Sequence, residues 1–201
     1  MLISFIFIYS LLFTSLILAV IVSSSLNPTA DSKFEIPENY SNLKSNERIF
    51  RFHCNECQLF VESRTKHCKE CNRCVSEFDH HCYWINNCIG KNNYKFFLII
   101  ICSLFALCIF TVCANSYLIY YFSSNNGLSN LESFYVINSK IANWILNGIS
   151  LLISIVLGSY TSYLIILHIY LIKNGMTTHE YSMKLRNENI DKILNQKKRV
   201  L

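Results

Sequence analysis

Three long runs without a charged residue constrain the fold of this chain more than any other feature. The runs lack Asp, Glu, Lys and Arg, and they cover residues 2–22, 96–122 and 144–172. The hydrocarbon core of a bilayer is about 30 Å thick, so a helix needs about 20 residues to cross it. We therefore predict three transmembrane helices. With 52% hydrophobic residues, the composition is atypical of a soluble domain.

The first run has two interpretations, because it begins at Met1. It has no basic residues before its apolar stretch, which is atypical of a secretory signal peptide. The serines at 23–25 could mimic a cleavage site. We favour an uncleaved anchor, and a cleaved signal peptide is the alternative.

Basic residues are unevenly distributed between the segments that separate the runs. Lys and Arg are frequent in residues 23–95 and 173–201, whereas residues 123–143 contain only Lys140. Positively charged residues tend to remain on the cytosolic side of a membrane. The first two segments are therefore predicted to be cytosolic, and the net charge of +5 fits an anionic membrane face.

These signals divide the chain into seven predicted segments. In order, they are transmembrane helix 1 (1–22), a cytosolic linker (23–50), a cysteine-rich zinc domain (51–95), transmembrane helix 2 (96–122), an extracytosolic loop (123–143), transmembrane helix 3 (144–172) and a cytosolic tail (173–201).

The cysteine-rich segment has the spacing of a metal-binding domain. Two Cys-x2-Cys pairs followed by histidines are typical of zinc sites. Disulfides are the alternative, but an odd cysteine count, close spacing and a cytosolic orientation argue against them. Beyond the cysteine pairs we predict no internal repeat. The seven cysteines are Cys54, Cys57, Cys68, Cys71, Cys74, Cys82 and Cys88.

If one cysteine stays free, the remaining six cysteines and two histidines would fill two four-ligand sites. In an extended segment, neighbouring side chains point to opposite faces, so His80 and Cys82 would share a face and His81 would point away. A histidine can draw the proton from a neighbouring cysteine, and an acid can orient that histidine. Asp79 can do so only if the backbone bends. Asp79, His80 and Cys82 are thus a candidate nucleophile set, and the alternative is that all three bind or surround zinc.

Residues 54–97, "CNECQLFVESRTKHCKECNRCVSEFDHHCYWINNCIGKNNYKFF", resemble the cysteine-rich domain of the DHHC protein S-acyltransferases, or palmitoyltransferases. "TTHE" at 177–180 resembles the TTxE motif of this family, and "NPT" at 27–29 resembles a degenerate form of its DPG motif. The fold that the resemblance implies is an α-helical integral membrane protein with a cytosolic, zinc-stabilised domain of short hairpins and loops. Further matching residues are Trp84, Asn87, Gly90, Asn93 and Phe97.

The resemblance also implies roles for individual residues. It implies Cys82 as the acyl-accepting nucleophile, His80 as its base and Asp79 as the orienting acid. It implies two structural Zn²⁺ ions, one held by Cys54, Cys57, His67 and Cys74 and the other by Cys68, Cys71, His81 and Cys88.

The implied reaction moves a long-chain acyl group, palmitoyl by expectation, from acyl-CoA to cytosolic cysteines of membrane-associated proteins. The expected location is an endomembrane of the Golgi or ER, with a cytosolic active site. A catalytically impaired, zinc-stabilised membrane adaptor that binds substrate proteins is the alternative. We expect no nucleic-acid partner, because no stripe of interleaved basic and aromatic residues is present.

The chain departs from the usual family pattern in several places, and the tail is short, with Asn195 only weakly resembling the asparagine of the family's C-terminal motif. Members usually have two helices before the cysteine-rich domain, whereas this chain has one, and the position of "NPT" matches it to the second. Val61-Glu62 replaces a basic-proline pair, and Tyr83 replaces a proline. None of these departures removes a proposed metal ligand or a member of the nucleophile set.

Overall fold

The computed structural model describes residues 2–29, 51–123 and 140–200. Most of the predicted linker and most of the predicted extracytosolic loop lie outside these residues. The described elements, in chain order, are α1 (Leu2–Ser25), β1 (Arg51–Cys54), β2 (Leu59–Glu62), β3 (Lys66–Cys68), β4 (Arg73–Val75), β5 (His80–Cys82), β6 (Asn87–Ile89), α2 (Tyr94–Ser123), α3 (Lys140–Lys173) and α4 (Thr178–Val200).

Among the described residues, three helices are long and apolar enough to cross a membrane. The candidate spans are Ile6–Ser25 in α1, Tyr94–Tyr120 in α2 and Ile141–Lys173 in α3. Each helix extends beyond its uncharged run, because flanking polar residues continue the same backbone hydrogen-bond ladder. Together with the cysteine-rich hairpins, these spans confirm the predicted fold class and show a membrane protein.

The chain forms two compact units, and the first contains most of the apolar helical residues. It comprises Met1–Leu18 and Leu98–Ile166. Within it, the hydroxyls of Ser15 and Ser103 lie 3.0 Å apart and join α1 to α2. The Asn115 side chain of α2 donates to Ser150 Oγ of α3 over 3.0 Å. Hydrogen bonds of this kind hold helices together in lipid, where burial of apolar surface provides little force.

The second unit, Ala19–Phe97 and Leu167–Leu201, contains three antiparallel hairpins of the same design. Each has a four-residue turn whose last residue has a positive φ. These residues are Gln58 (54°), Asn72 (47°) and Asn86 (48°). The turns therefore recur every 14 residues, as do the His-Cys dipeptides that precede them. We call these units hairpin 1 (β1–β2), hairpin 2 (β3–β4) and hairpin 3 (β5–β6).

The prediction of no internal repeat beyond the cysteine pairs is therefore wrong. The repeat is concealed because the hairpins differ at single metal-ligand positions. Hairpin 1 has Phe60 where the others have Cys74 and Cys88, and hairpin 3 has Ile85 where the others have Cys57 and Cys71.

Hairpin 3 is attached to the end of α1 by side-chain amides. Asn87 Nδ2 lies 3.0 Å from the Ser23 carbonyl oxygen and 2.9 Å from that of Leu26. Asn93 Nδ2 donates to the carbonyls of Ser23 and Cys88. The last carbonyls of a helix lack partners within the helix, so these amides satisfy the C-terminal end of α1.

Between α3 and α4, a C-terminal capping motif ends the first helix and an N-terminal capping motif begins the second. Gly175 has φ +61°, and its N–H donates to Ile172 while the Met176 N–H donates to Leu171, which is a Schellman motif. The N-terminal motif is a capping box: the Glu180 N–H donates to the Thr177 hydroxyl, and the Thr177 N–H donates to the Glu180 carboxylate.

Candidate active site and metal centres

Two groups of four Cys and His side chains converge within the hairpins. The ligand atoms of each group all lie within 4.8 Å of one another. The first metal cluster consists of Cys54, Cys57, His67 and Cys74, and the second metal cluster consists of Cys68, Cys71, His81 and Cys88. The structure thus brings together the same two sets that the resemblance implies.

The spacing of the donor atoms fits a tetrahedral zinc ion. Zn–S bonds of about 2.3 Å and Zn–N bonds of about 2.0 Å require donor atoms roughly 3.5 to 3.8 Å apart. In the second metal cluster, His81 Nδ1 lies 3.3 Å from Cys71 Sγ, 3.8 Å from Cys68 Sγ and 3.7 Å from Cys88 Sγ. In the first, His67 Nδ1 lies 3.3 Å from Cys57 Sγ. Three sulfurs and one imidazole per cluster are the donors of a closed structural site, so both clusters could hold zinc.

The alternation of strand β5 separates metal binding from the candidate nucleophile set. His81 points to the second metal cluster, whereas its neighbours His80 and Cys82 are close enough to shift each other's pKa. Asp79 lies just before the strand, and its Oδ2 is 2.8 Å from His80 Nδ1. Asp79 therefore reaches His80, as its predicted role requires. Asp79 is 2% exposed and Cys82 is 8% exposed, whereas the His80 side chain between them is 28% exposed.

Hydrogen bonding within this set favours its charged forms. Burial alone would lower the pKa of His80, but its bonds to Asp79 and Cys82 raise the pKa to about 9. Burial alone would raise the pKa of the Cys82 thiol, but the bonds from His80 and from the Ile85 backbone N–H lower it below its usual range. The pKa of Asp79 is also lowered, because His80 and Thr178 donate to its carboxylate against the effect of burial. The geometry is therefore suited to a thiolate beside an imidazolium.

The start of α4 contacts the candidate set directly. The Thr178 N–H donates to Asp79 Oδ1 over 2.8 Å, so both carboxylate oxygens have partners. Arg64 fixes this helix start, since its Nε lies 2.8 Å from Glu180 Oε1 and its second guanidinium nitrogen 2.9 Å from Oε2. The "TTHE" segment thus supports Asp79 through one backbone N–H and one bidentate ion pair.

An aromatic stack lies against the other side of His80. The rings of Phe97 and His80 meet edge to face, with centroids 5.1 Å apart. The same phenyl ring meets His168 of α3 at 5.1 Å, and His168 Nδ1 lies 2.9 Å from the Tyr94 hydroxyl. Phe97 is therefore held between two imidazoles.

Residue patterns identified the members of the candidate set but missed most of their supports. Thr178, Tyr94 and His168 were not predicted to approach Asp79 or His80. The Thr-x-x-Glu spacing of a capping box marks the start of α4, but nothing in it indicates which carboxylate the exposed N–H groups meet. The Tyr94–His168 pair joins residues 74 positions apart, and no local pattern connects them.

The chain matches the family model described as DHHC palmitoyltransferase over residues 47–185, which is more than half of its length. The matched range contains all three hairpins, α2, α3 and the first turns of α4. None of the curated proteins compared with the chain matches it.

Proposed function

Because the chain belongs to the DHHC palmitoyltransferase family, we propose that it is a protein S-acyltransferase that transfers a palmitoyl or similar acyl group from acyl-CoA to protein cysteines through an S-acyl-Cys82 intermediate. One observation carries this proposal. His80 is hydrogen-bonded to Asp79 and interacts with the Cys82 thiol, although His81 and Cys88 beside them belong to a metal cluster. A histidine held by an acid and bonded to a thiol is the arrangement of an activated cysteine nucleophile.

In the first step, the Cys82 thiolate attacks the carbonyl carbon of the acyl-CoA thioester. The new bond joins Cys82 Sγ to the acyl carbon, and the bond between that carbon and the CoA sulfur breaks. The CoA thiolate takes a proton from the His80 imidazolium and leaves as free CoA. Asp79 keeps Nδ1 of His80 occupied, so the other ring nitrogen, Nε2, exchanges the proton.

In the second step, a cysteine thiol of the substrate protein gives its proton to neutral His80 and attacks the same carbonyl carbon. The bond from that carbon to Cys82 Sγ breaks, and the Cys82 thiolate is restored beside the His80 imidazolium. The net change is one acyl group moved from CoA to a protein thiol, with no oxidant or reductant required.

We assign the eight clustered ligands a structural role in this scheme. Zinc bound by the two clusters would crosslink the three hairpins, whose apolar core is small, and thereby stabilise the position of β5. Cys82, His80 and Asp79 carry out the transfer, and neither metal cluster contributes a proton or a leaving group.

The proposed setting is the cytosolic surface of an endomembrane such as the Golgi or the ER. This orientation rests on the excess of Lys and Arg in the predicted cytosolic segments. Its partners would be acyl-CoA, the bilayer and membrane-associated proteins with cytosolic cysteines.

The test is the chemical identity of an acyl adduct on the full-length protein in detergent. After incubation with palmitoyl-CoA, we expect a covalent acyl group that neutral hydroxylamine removes, because hydroxylamine cleaves thioesters. Cys82→Ser should abolish the adduct while retaining a zinc ion for each of the two clusters. Cys102→Ser, at an exposed cysteine of α2, is the matched control and should acylate normally.

Two results would contradict the proposal. Retention of the adduct in Cys82→Ser would exclude this residue as the acyl carrier. Absence of any adduct on wild-type protein with both zinc ions bound would favour the membrane adaptor.

A further inference from the structure

The three hairpins share one ligand plan. The first strand of each ends in a His-Cys dipeptide, a four-residue turn follows, and the chain returns so that the histidine faces the residue seven positions later. The facing pairs are His53↔Phe60, His67↔Cys74 and His81↔Cys88. In hairpin 1, His53 and Phe60 pack edge to face instead of binding a metal.

Each metal cluster takes two ligands from one hairpin and two from the next. The first metal cluster combines Cys54, the last residue of β1, and Cys57 of the following turn with the facing His and Cys of hairpin 2. The second combines Cys68, the last residue of β3, and Cys71 of the following turn with the facing His and Cys of hairpin 3. The cysteine that ends the first strand is therefore a metal ligand in hairpins 1 and 2.

In hairpin 3, the equivalent of this first cysteine is Cys82, and Ile85 stands where the other two hairpins have their second cysteine. Cys82 lies 14 residues after Cys68, as Ile85 lies 14 after Cys71. Within the described residues no hairpin follows the third, because α2 begins at Tyr94. Cys82 thus occupies the first ligand position of an incomplete third metal site.

The backbone around Cys82 retains the geometry of the metal-binding turns. The N–H groups of Glu56 and Cys57 hydrogen-bond to the Cys54 sulfur. The N–H groups two and three residues after Cys82, those of Trp84 and Ile85, hydrogen-bond to its sulfur in the same way. The turns of all three hairpins also end in a residue with positive φ, namely Gln58, Asn72 and Asn86. In hairpin 3 this turn geometry surrounds a sulfur that has no second cysteine three residues later.

We propose that Ile85 is a specificity-determining residue that keeps metal away from Cys82 and so preserves its thiolate as a nucleophile. The inference rests on the role of Cys82 under Proposed function. Ile85 is buried, at 9% exposure, and its side chain has no N, O or S donor. Cys82 and His80 supply only two soft ligands, and zinc sites take at least three from protein. A thiol at position 85 would complete a Cys-x2-Cys pair beside His80.

The decisive variant is Ile85→Cys in the full-length protein, purified with a reductant that does not bind metals. We expect it to bind one zinc ion more than the wild type, since two thiolates and an imidazole suffice for a site with one open position. Iodoacetamide labelling of the Cys82 peptide, followed by mass spectrometry, should slow at least about tenfold, because a metal-bound thiolate is a poorer nucleophile. A mild chelator that spares the two closed clusters should restore labelling.

Two controls separate metal capture from altered packing. Ile85→Ser removes the same apolar volume but adds no thiol, so it should bind no additional zinc. Ile85→Cys combined with Cys82→Ser should lose the additional ion, because one member of the new pair is gone. Neither readout requires an acyl donor, so a failure of acyl transfer in the wild type would refute the proposed function without affecting this test.

The proposal is overturned if Ile85→Cys retains both structural zinc ions, binds no more zinc than the wild type and labels at the wild-type rate. A further measurement on the wild-type protein tests the proposal even if the variant does not fold. Added Zn²⁺ or Cd²⁺, at a concentration that saturates an isolated Cys-x2-Cys peptide, should leave labelling of wild-type Cys82 unchanged. Slower iodoacetamide labelling of wild-type Cys82 in the presence of added metal would show that Ile85 does not exclude metal.

Discussion

The two metal clusters have the same ligand types but different surroundings. In the first, three of the four ligands are half-buried, and only Cys74 is buried. In the second, Cys68 and Cys88 are both buried, and Cys88 has no exposed surface. Its ligand His81 lies between His80 and Cys82, and Cys88 follows Asn87, which caps α1. Two clusters with the same ligand types can therefore differ in their effect on the candidate set, since only the second takes a ligand, His81, from the strand that carries His80 and Cys82.

Removal of the second metal cluster is expected to have the largest effect. Cys88→Ser leaves a poor ligand at a fully buried position and should release one zinc ion. Loss of that ion frees His81 and with it β5, so formation of the acyl adduct should fall at least about 100-fold. Zinc content by atomic absorption and the adduct rate with palmitoyl-CoA measure the two effects. If Cys88→Ser loses the ion but still forms the adduct at the wild-type rate, the distinction between the clusters is refuted.

Removal of the first metal cluster should have a smaller effect on acylation. Cys54→Ser alters a half-buried ligand of hairpin 1, which contributes no residue to the candidate set. We expect loss of one zinc ion and about a tenfold lower adduct rate, because hairpin 2 links this cluster to the other. The same assays apply, with Cys102→Ser as the common control. An effect as large as that of Cys88→Ser would mean that the clusters act as one unit.

The cysteine spacing predicted much of this region because metal ligands must converge on one point. The alternation of an extended strand predicted that His81 points away from His80 and Cys82, and four ligands per ion were compatible with one spare cysteine. Length and hydropathy likewise predicted the three spans, since a bilayer imposes a minimum number of apolar residues.

The supports of Asp79 and His80 were not predictable in the same way. The Thr178 N–H and the Phe97 ring reach them from elements far apart in sequence, through packing that no local period encodes. The 14-residue repeat was also missed, because two substitutions, Phe60 and Ile85, interrupt the ligand pattern at its ends. Backbone turns preserve the repeat where side chains no longer do.

The contact of α4 with Asp79 is expected to contribute modestly to the stability of the protein and to the rate of adduct formation. Glu180→Gln breaks the ion pair with Arg64. The Arg64 side chain is 39% exposed and the Glu180 side chain is 35% exposed. Exposed pairs of this kind contribute less than about 1 kcal/mol, so the thermal midpoint should fall by only about 2–4 °C. The adduct rate should drop about threefold as the Thr178 N–H loses its fixed position.

The pH dependence of that stability difference has a defined sign. The hydrogen bond from Arg64 lowers the pKa of Glu180. The stabilising contribution is therefore complete above the ordinary pKa of a glutamate and is lost as the pH falls through the lowered value. Differential scanning fluorimetry should show a constant difference between variant and wild type near neutral pH. Glu188→Gln, at an exposed position of the same helix, is the control, and an equal shift in both variants would remove any special role for Glu180.

The smallest effect is expected from Tyr94→Phe, which removes one oxygen atom and keeps the ring. Without the hydroxyl, His168 loses its 2.9 Å partner, and the Phe97 ring between His168 and His80 gains freedom to move. Loss of one such hydrogen bond, two contacts removed from Cys82, should slow adduct formation by less than about twofold and leave both zinc ions in place. Tyr120→Phe, at an exposed tyrosine of the same helix, should change neither quantity. A slower rate with full zinc content would separate the positioning of His80 from metal binding, whereas loss of zinc in Tyr94→Phe would show that the aromatic stack supports the second metal cluster instead.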